Sequence, residues 1–298
     1  MPPVMEGPPK PWPTGKAEQL EPLVRRVLAP NPSPFTYTGT QTYLIGGLIG
    51  SGNEIAVIDP GPDEPEHLDA LYAAIGDAQV TAICCTHTHR DHSPAAAPLQ
   101  ARTGAPIIGC APLVLDTDGP RQDAPFDRTY SPDRVLADGE SITGSDWTLT
   151  AVATPGHTSN HLCFALEETG ALFTGDHVMA WSTSVVIPPD GDMDMYMRSL
   201  QLLHDRDDRV YYPAHGPAVD KPRQLVRGMI GHRRQRERQI LRQLGLGPQA
   251  IPAMVPEMYK GTDPRLYPAA GMSVLAHLID LERRGMVRRE EDLWQTAN

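Results

Sequence analysis

Four cysteines in 298 residues, none in CxxC spacing, are too few and too scattered for a zinc knuckle or a disulfide framework. Cys84, Cys85, Cys110 and Cys163 lie in strand-like apolar segments and read as buried thiols. No apolar run approaches the roughly 20 residues of a membrane span, so no membrane partner is expected. The proline-rich stretch 1–16 lacks the apolar core of a secretory signal, and the chain reads as cytoplasmic. Positive charge is also short: 26 Lys and Arg stand against 37 Asp and Glu, a net charge of −11. That balance argues against a protein that coats nucleic acid generally, while leaving room for a local basic groove. The length suits one large domain plus a small one.

What the chain has is histidine in the right places. Thr86-His87-Thr88-His89-Arg90-Asp91-His92 packs three imidazoles and a carboxylate into six residues, directly after an apolar run. His87 and His89 alternate, so on an extended segment their rings point the same way. Asp91 and His92 fall where the chain must turn into a helix, so one metal could take the first two histidines and a second the last two residues. Three later segments each place a further ligand at the end of a strand-like run: Thr154-Pro155-Gly156-His157, Phe173-Thr174-Gly175-Asp176 and Tyr212-Pro213-Ala214-His215-Gly216. That recurrence separates a metal site from a chance cluster.

HxHxDH, then GH, GD and a late HG, in this order, resembles the metallo-beta-lactamase superfamily over residues 35 to 217. The resemblance implies an α/β fold, the αββα sandwich; periodicity alone shows only mixed α and β. It also implies a first metal site of His87, His89 and His157, a second of Asp91, His92 and His215, and Asp176 bridging both. Two zinc ions are expected, with manganese or iron as alternatives. The nucleophile would be a metal-bridging hydroxide, with Asp91 both ligating and steering it; no serine or cysteine nucleophile is needed. Asp59, in Ile58-Asp59-Pro60-Gly61, takes by resemblance a role supporting the site, the alternative being a turn or cap aspartate. His161 and His177, beside motif residues, are candidates for supporting or substrate-facing roles. His67, His204, His232 and His277 lie on expected helices and read as structural or solvated. Tyr211, Tyr212, Thr158 and Ser159 are candidates for the leaving-group acid.

Along the chain, residues 1–34 read as an N-terminal arm whose Leu23–Leu28 portion pairs with a sheet. Strands are expected at Tyr37–Gly47 and Glu54–Asp59, joined by a glycine-rich turn at 50–52. Further strands are expected at Val80–Cys85, Pro106–Gly109, Trp147–Ala153, His161–Ala165, Leu172–Thr174 and Arg209–Tyr212. Helices are expected at His67–Ile75, Ala95–Thr103 and Met193–Leu203, with a loop over the site from 116 to 134. Residues 35–217 form the expected catalytic domain and 218–298 a linker helix plus a small module.

The linker helix spans Lys221–Leu244, with one apolar face and another bearing Arg223, Arg227, Arg233, Arg234, Arg236, Arg238 and Arg242. Such a run is either a solvated face or a phosphate-binding patch. Two helices, from Ile251 and from Asp263-Pro264 to near Gly285, then a short strand at Met286–Arg289, look like a winged helix. Linker plus winged helix resembles the beta-lactamase-like protein 2 branch, whose best-known member is a single-strand endoribonuclease. The bridging Asp176 points away from true beta-lactamases, which generally lack it. The first expectation is therefore a dinuclear phosphodiesterase, and within that class an endoribonuclease acting on single-stranded RNA. The alternative is an acyl hydrolase of the glyoxalase II-like thioesterase or lactonase kind, in which the C-terminal module walls the pocket or mediates homodimerisation. A non-enzymatic binding module ranks last, because no ligand is missing.

Overall fold

A computed structural model of the chain describes residues 12–47, 53–115, 125–261 and 263–297. The turn expected at 50–52 and the first part of the 116–134 loop lie outside them. Seven strands form one sheet in sequence order: β1 (Ala17–Glu21), β2 (Val24–Leu28), β3 (Gln41–Gly46), β4 (Glu54–Ile58), β5 (Gln79–Cys85), β6 (Ile107–Gly109) and β7 (Arg134–Val135). From β1 to β4 the pairing is antiparallel, and from β4 to β7 parallel. Parallel neighbours need crossovers, which α1 (Pro65–Ile75) and α2 (Ala96–Thr103) supply. β4 is accordingly apolar and buried at Ile55, Ala56, Val57 and Ile58 in succession, as a strand covered on both faces must be.

Two details differ from expectation. Pairing begins further towards the N-terminus than Leu23, with β1 held against β2 from Ala17 to Glu21. The strand expected from Tyr37 starts only at Gln41, because side chains hold 31–40 in a turn. Ser33 Oγ accepts from the Thr36 amide at 3.0 Å and Asn31 Oδ1 from that of Thr40 at 2.8 Å, bonds that compete with a ladder.

The second sheet has the order β12-β11-β10-β9-β8, from β8 (Ser141–Thr143), β9 (Thr148–Ala153), β10 (Leu162–Leu166), β11 (Ala171–Gly175) and β12 (Val210–Pro213). α3 (Met193–Asp205) carries the chain from β11 to its parallel neighbour β12. Side chains alternate as the pleat requires. Leu162, Phe164 and Phe173 face the first sheet and its core, whereas Cys163, Leu172 and Tyr211 face α3 and the helix that follows. Two sheets between outer helices make the αββα sandwich. All four cysteines are free and buried.

That next helix, α4 (Pro222–Leu244), serves two cores. Val226, Met229 and Ile230 pack on the second sheet, while Ile240 and Leu244 pack with α5 (Ile251–Met258), α6 (Tyr267–Arg283) and the hairpin of β13 (Val287–Glu290) and β14 (Leu293–Thr296). Helices closed by a hairpin form the expected winged-helix module. One expectation is corrected here: Arg233, placed by periodicity on the basic solvent face, is only 3% exposed, because α4 is covered on that side by α6 and the loop before α3. No helix among the described residues is long and apolar enough to cross a membrane.

Candidate metal centre

Strand ends converge on one point. His87, His89, His157 and Asp176 form one cluster of donors, and Asp91, His92 and His215 a second beside it. All seven residues expected to bind metal are thus brought together. His87 and His89 follow β5, His157 follows β9, Asp176 follows β11 and His215 follows β12. Gly175 is required before Asp176: its φ is +49°, and a Cβ there would lie 2.7 Å from both His161 Nε2 and Thr86 Oγ1.

The outer nitrogens decide what the inner ones can do. Thr86 Oγ1 donates to Asp59 Oδ2 at 2.8 Å, so at 3.0 Å it accepts from His87 Nδ1. His92 Nδ1 donates to Asp59 Oδ2 at 3.0 Å, His157 Nδ1 to the Val185 carbonyl at 2.6 Å, and His215 Nδ1 to the Gly39 carbonyl at 3.2 Å. Each leaves Nε2 facing inward with a lone pair available to a metal. His92 Nε2 and Asp176 Oδ1 are buried with no hydrogen-bond partner among the described residues, as atoms awaiting a cation would be.

Spacing supports the same fit. His87 Nε2 lies 3.0 Å from His89 Nδ1, which lies 3.2 Å from His157 Nε2, which lies 3.6 Å from Asp176 Oδ2. In the second cluster His215 Nε2 is 3.2 Å from both Asp91 Oδ2 and Asp176 Oδ1, and His92 Nε2 is 3.4 and 3.6 Å from them. Tetrahedral donors at about 2.0–2.1 Å from an ion sit about 3.3–3.4 Å apart, so each cluster is the size of one ion's coordination shell. The two carboxylate oxygens of Asp176 face different clusters.

Electrostatics divides the halves. Burial, helped by neighbouring imidazoles, pushes His89 down to about 3 and His87 well below the ordinary histidine range, so both stand neutral. Burial works against charge on His215 and His92 too, but Asp176 and Asp91 outweigh it, holding His215 up at about 10 and His92 well above its usual value. Both aspartates stay well below the carboxylate range despite burial, through those two histidines. The protons that His92 and His215 hold without a cation are what a divalent cation replaces.

Asp59, expected to support the site, accepts from the Thr86 amide at 2.7 Å as well as from Thr86 Oγ1 and His92. His161 braces the centre from outside: Nδ1 meets Thr154 Oγ1 at 2.9 Å, and Nε2 accepts from the Asp176 amide at 3.3 Å. His177 is buried between His161 and Tyr196, its ring centroid 4.7 Å from that of Tyr196. Tyr211 and Tyr212 drop out as leaving-group acids. The first donates to the Leu203 carbonyl at 3.1 Å, and the second lies in the inter-sheet core beside Phe173. Thr86, Ser184 and the carbonyls of Gly39 and Val185 were not anticipated. Only Thr86, lodged between strand and motif, carried any signal.

A two-sheet sandwich with five histidines and two aspartates at its strand ends defines a metallohydrolase of one class. The sequence profile of the metallo-beta-lactamase superfamily matches residues 37–215, and that of the beta-lactamase associated winged helix domain residues 250–294. The chain belongs to the metallo-beta-lactamase superfamily, as a hydrolase with a candidate metal site. It is 32% identical over 294 residues to the beta-lactamase-like protein 2 homolog of Drosophila melanogaster, covering 91% of each chain. It is also 32% identical over 235 residues to the atrochrysone carboxyl ACP thioesterase dmxR1 of Cryptosporiopsis sp. (strain 8999), covering 78% of this chain and 66% of that one. The crystal structure of a metallo-beta-lactamase family protein from Thermus thermophilus superposes with a TM-score of 0.75 at 24% identity, covering 93% of this chain and 100% of that one.

Proposed function

We propose that the protein hydrolyses an acyl substrate, a thioester or related carboxylic ester, with two zinc ions held by His87, His89, His157, Asp176, Asp91, His92 and His215. The observation that carries acyl over phosphoryl chemistry is a cavity of about 670 Å³ along α4. Ala180 and Thr183, from the segment after Asp176, Ala218 and Lys221, from the segment after His215, and Gly228 and Gly231 of α4 line it, with none of the seven cluster residues among its lining. This is the size of a small-molecule site, apolar with a few polar groups, and it suits an acyl chain with an anionic end near Lys221.

When bound, two such cations polarise the scissile carbonyl and make water acidic enough to attack near neutral pH. Asp91 is the most exposed of the carboxylates and histidines in the paired contacts of the site, at 25% against 12% for Asp176. Thr40 Oγ1 donates to its Oδ2 at 3.3 Å, fixing a carboxylate able to accept a hydrogen bond from the attacking water and aim its lone pair. The Cryptosporiopsis relative, named a thioesterase, fits this reading.

Phosphodiester cleavage of single-stranded RNA is the second reading, favoured by one feature: Arg227, Arg234, Arg238 and Arg242 are exposed at helical spacing on α4. It ranks second because the stripe is diluted. Arg234 and Arg238 share a groove with Asp194, Glu237 and Asp280, while Arg233 and Arg236 are turned to the Ser184 and Met258 carbonyls.

The test is a panel of C2, C6 and C12 acyl thioesters and a bis-aryl phosphodiester, offered to wild type, Asp176→Ala and Gly228→Leu. A Cβ at Gly228 meets nothing within 4 Å, so leucine fills the cavity without disturbing the helix. Thioester turnover lost in Asp176→Ala, with KM for C12 raised about tenfold and C2 unchanged in Gly228→Leu, is expected. Phosphodiester turnover alone would reverse the ranking.

A further inference from the structure

Asp176 bridges the two clusters, yet its Oδ1 has no hydrogen-bond partner among the described residues. The carboxylate lies among His215, His92 and His157, and the peptide that carries it is held from behind. Ser184, 2% exposed, donates through Oγ to the carbonyl of Asp176 and lies 2.8 Å from that of His177. Tyr196 donates its hydroxyl to the same His177 carbonyl at 3.1 Å. Behind both stands Arg233 of α4. Its guanidinium donates to the Ser184 carbonyl, lies 5.1 Å from the Tyr196 ring centroid and is 3.3 Å from Ser273 Oγ on α6.

Arg233 is a costly residue to place there. It is 3% exposed and makes no ion pair among the described residues, whereas a buried charge ordinarily requires a partner. A second tie between the same parts of the chain, the ion pair of Arg283 with Asp192, uses exposed Arg283 and does not touch Ser184, and it meets Tyr196 only through the Asp192 carbonyl, which accepts from the Tyr196 amide at 2.9 Å. Simple attachment of α6 to the sandwich therefore does not require a buried guanidinium.

We infer that Arg233 is a positioning residue for the metal-bridging Asp176, acting through Ser184 and Tyr196. The C-terminal helices thereby shape the metal centre from behind. α4 holds the Ser184 carbonyl, Ser184 holds the peptide after Asp176, and the carboxylate inherits its direction between His92, His157 and His215. Ser184 stands one hydrogen bond behind the ligand residue and Arg233 two; groups directly behind the ligands typically change metal affinity by about 10–100-fold when removed.

The test is Zn²⁺ binding by competition with a chromophoric chelator, on the full chain, for wild type, Arg233→Met, Ser184→Ala and Arg283→Met. Ser184→Ala keeps the carbonyl that Arg233 binds and removes only the hydroxyl brace, so it remains decisive if Arg233→Met does not fold. Expected is a Kd for Zn²⁺ raised about tenfold or more in Arg233→Met and Ser184→Ala, with Arg283→Met at the wild-type value. The inference rests on the two-cation reading of the site, and the wild type separates the two. Fewer than two Zn²⁺ on wild type overturns both; two Zn²⁺ at wild-type affinity in Ser184→Ala overturns the brace alone, leaving Arg233 a purely structural contact.

Discussion

Replacing Asp59 by asparagine changes one oxygen to an amide nitrogen and leaves no good arrangement behind. The residue sits at φ +48°, a left-handed conformation that asparagine tolerates, so the backbone is not strained. In the native chain Oδ1 accepts from the Thr86 amide at 2.7 Å, while Oδ2 accepts from Thr86 Oγ1 at 2.8 Å and His92 Nδ1 at 3.0 Å. With the new NH2 in the Oδ1 position, it opposes a backbone N–H that cannot turn away. With the NH2 in the Oδ2 position, Thr86 can rotate, but His92 must move its proton to Nε2, the nitrogen that faces the second metal. Either way one buried donor loses its acceptor, about 1–3 kcal/mol. Where that cost falls on the metal-bound state, affinity for the ion held by Asp91, His92 and His215 drops about 10–100-fold. Chelator competition with Zn²⁺ resolves the two binding events. One weakened event and one near wild type is the expected result, and two wild-type events in Asp59→Asn would refute the reasoning.

Gly175→Ala combines a positive φ with overlap against His161 and Thr86, and should cost on the order of 3 kcal/mol, read as a lower urea midpoint. Acid should also destabilise the metal-free fold through His67. Burial, against a hydrogen bond to the Pro60 carbonyl, lowers its pKa to about 4. The depressed folded value means full stability above the unfolded pKa of about 6.5, and loss as pH falls from there towards 4, on the order of 3 kcal/mol. Urea midpoints between pH 7.5 and 4.5 should fall less steeply in His67→Gln; equal slopes would exclude His67 as a source. His277, pushed down to about 3 by burial and then by Arg233, should add to the same trend.

The candidate metal ligands were legible because they fall at strand ends or in the turn just beyond β5, and each stands beside a glycine, a threonine or another candidate, so chemistry and punctuation coincide at single positions. Asp59 was legible only through resemblance, since Ile58-Asp59-Pro60-Gly61 fits a plain turn equally well. Arg233 was misplaced for a physical reason: periodicity sorts residues by polarity, and a buried guanidinium held by carbonyls has the same letter as a solvated one. β1 was missed because Ala17–Glu21 is half-exposed at a sheet edge, where apolar alternation is not demanded. β7, with two residues, and β8, with three, are too short to carry a pattern. The carbonyls of Gly39, Val185 and Ser184 belong to every residue, and only the folded chain shows which ones orient a histidine or hold an arginine.

The most direct measurement is metal per chain, by elemental mass spectrometry after loading with Zn²⁺ and removal of excess, for wild type beside Asp176→Ala. Two ions on wild type and one or fewer on the variant is the result expected of two clusters joined by the carboxylate of Asp176. One ion or none on wild type, or two tightly held ions in Asp176→Ala, would contradict it.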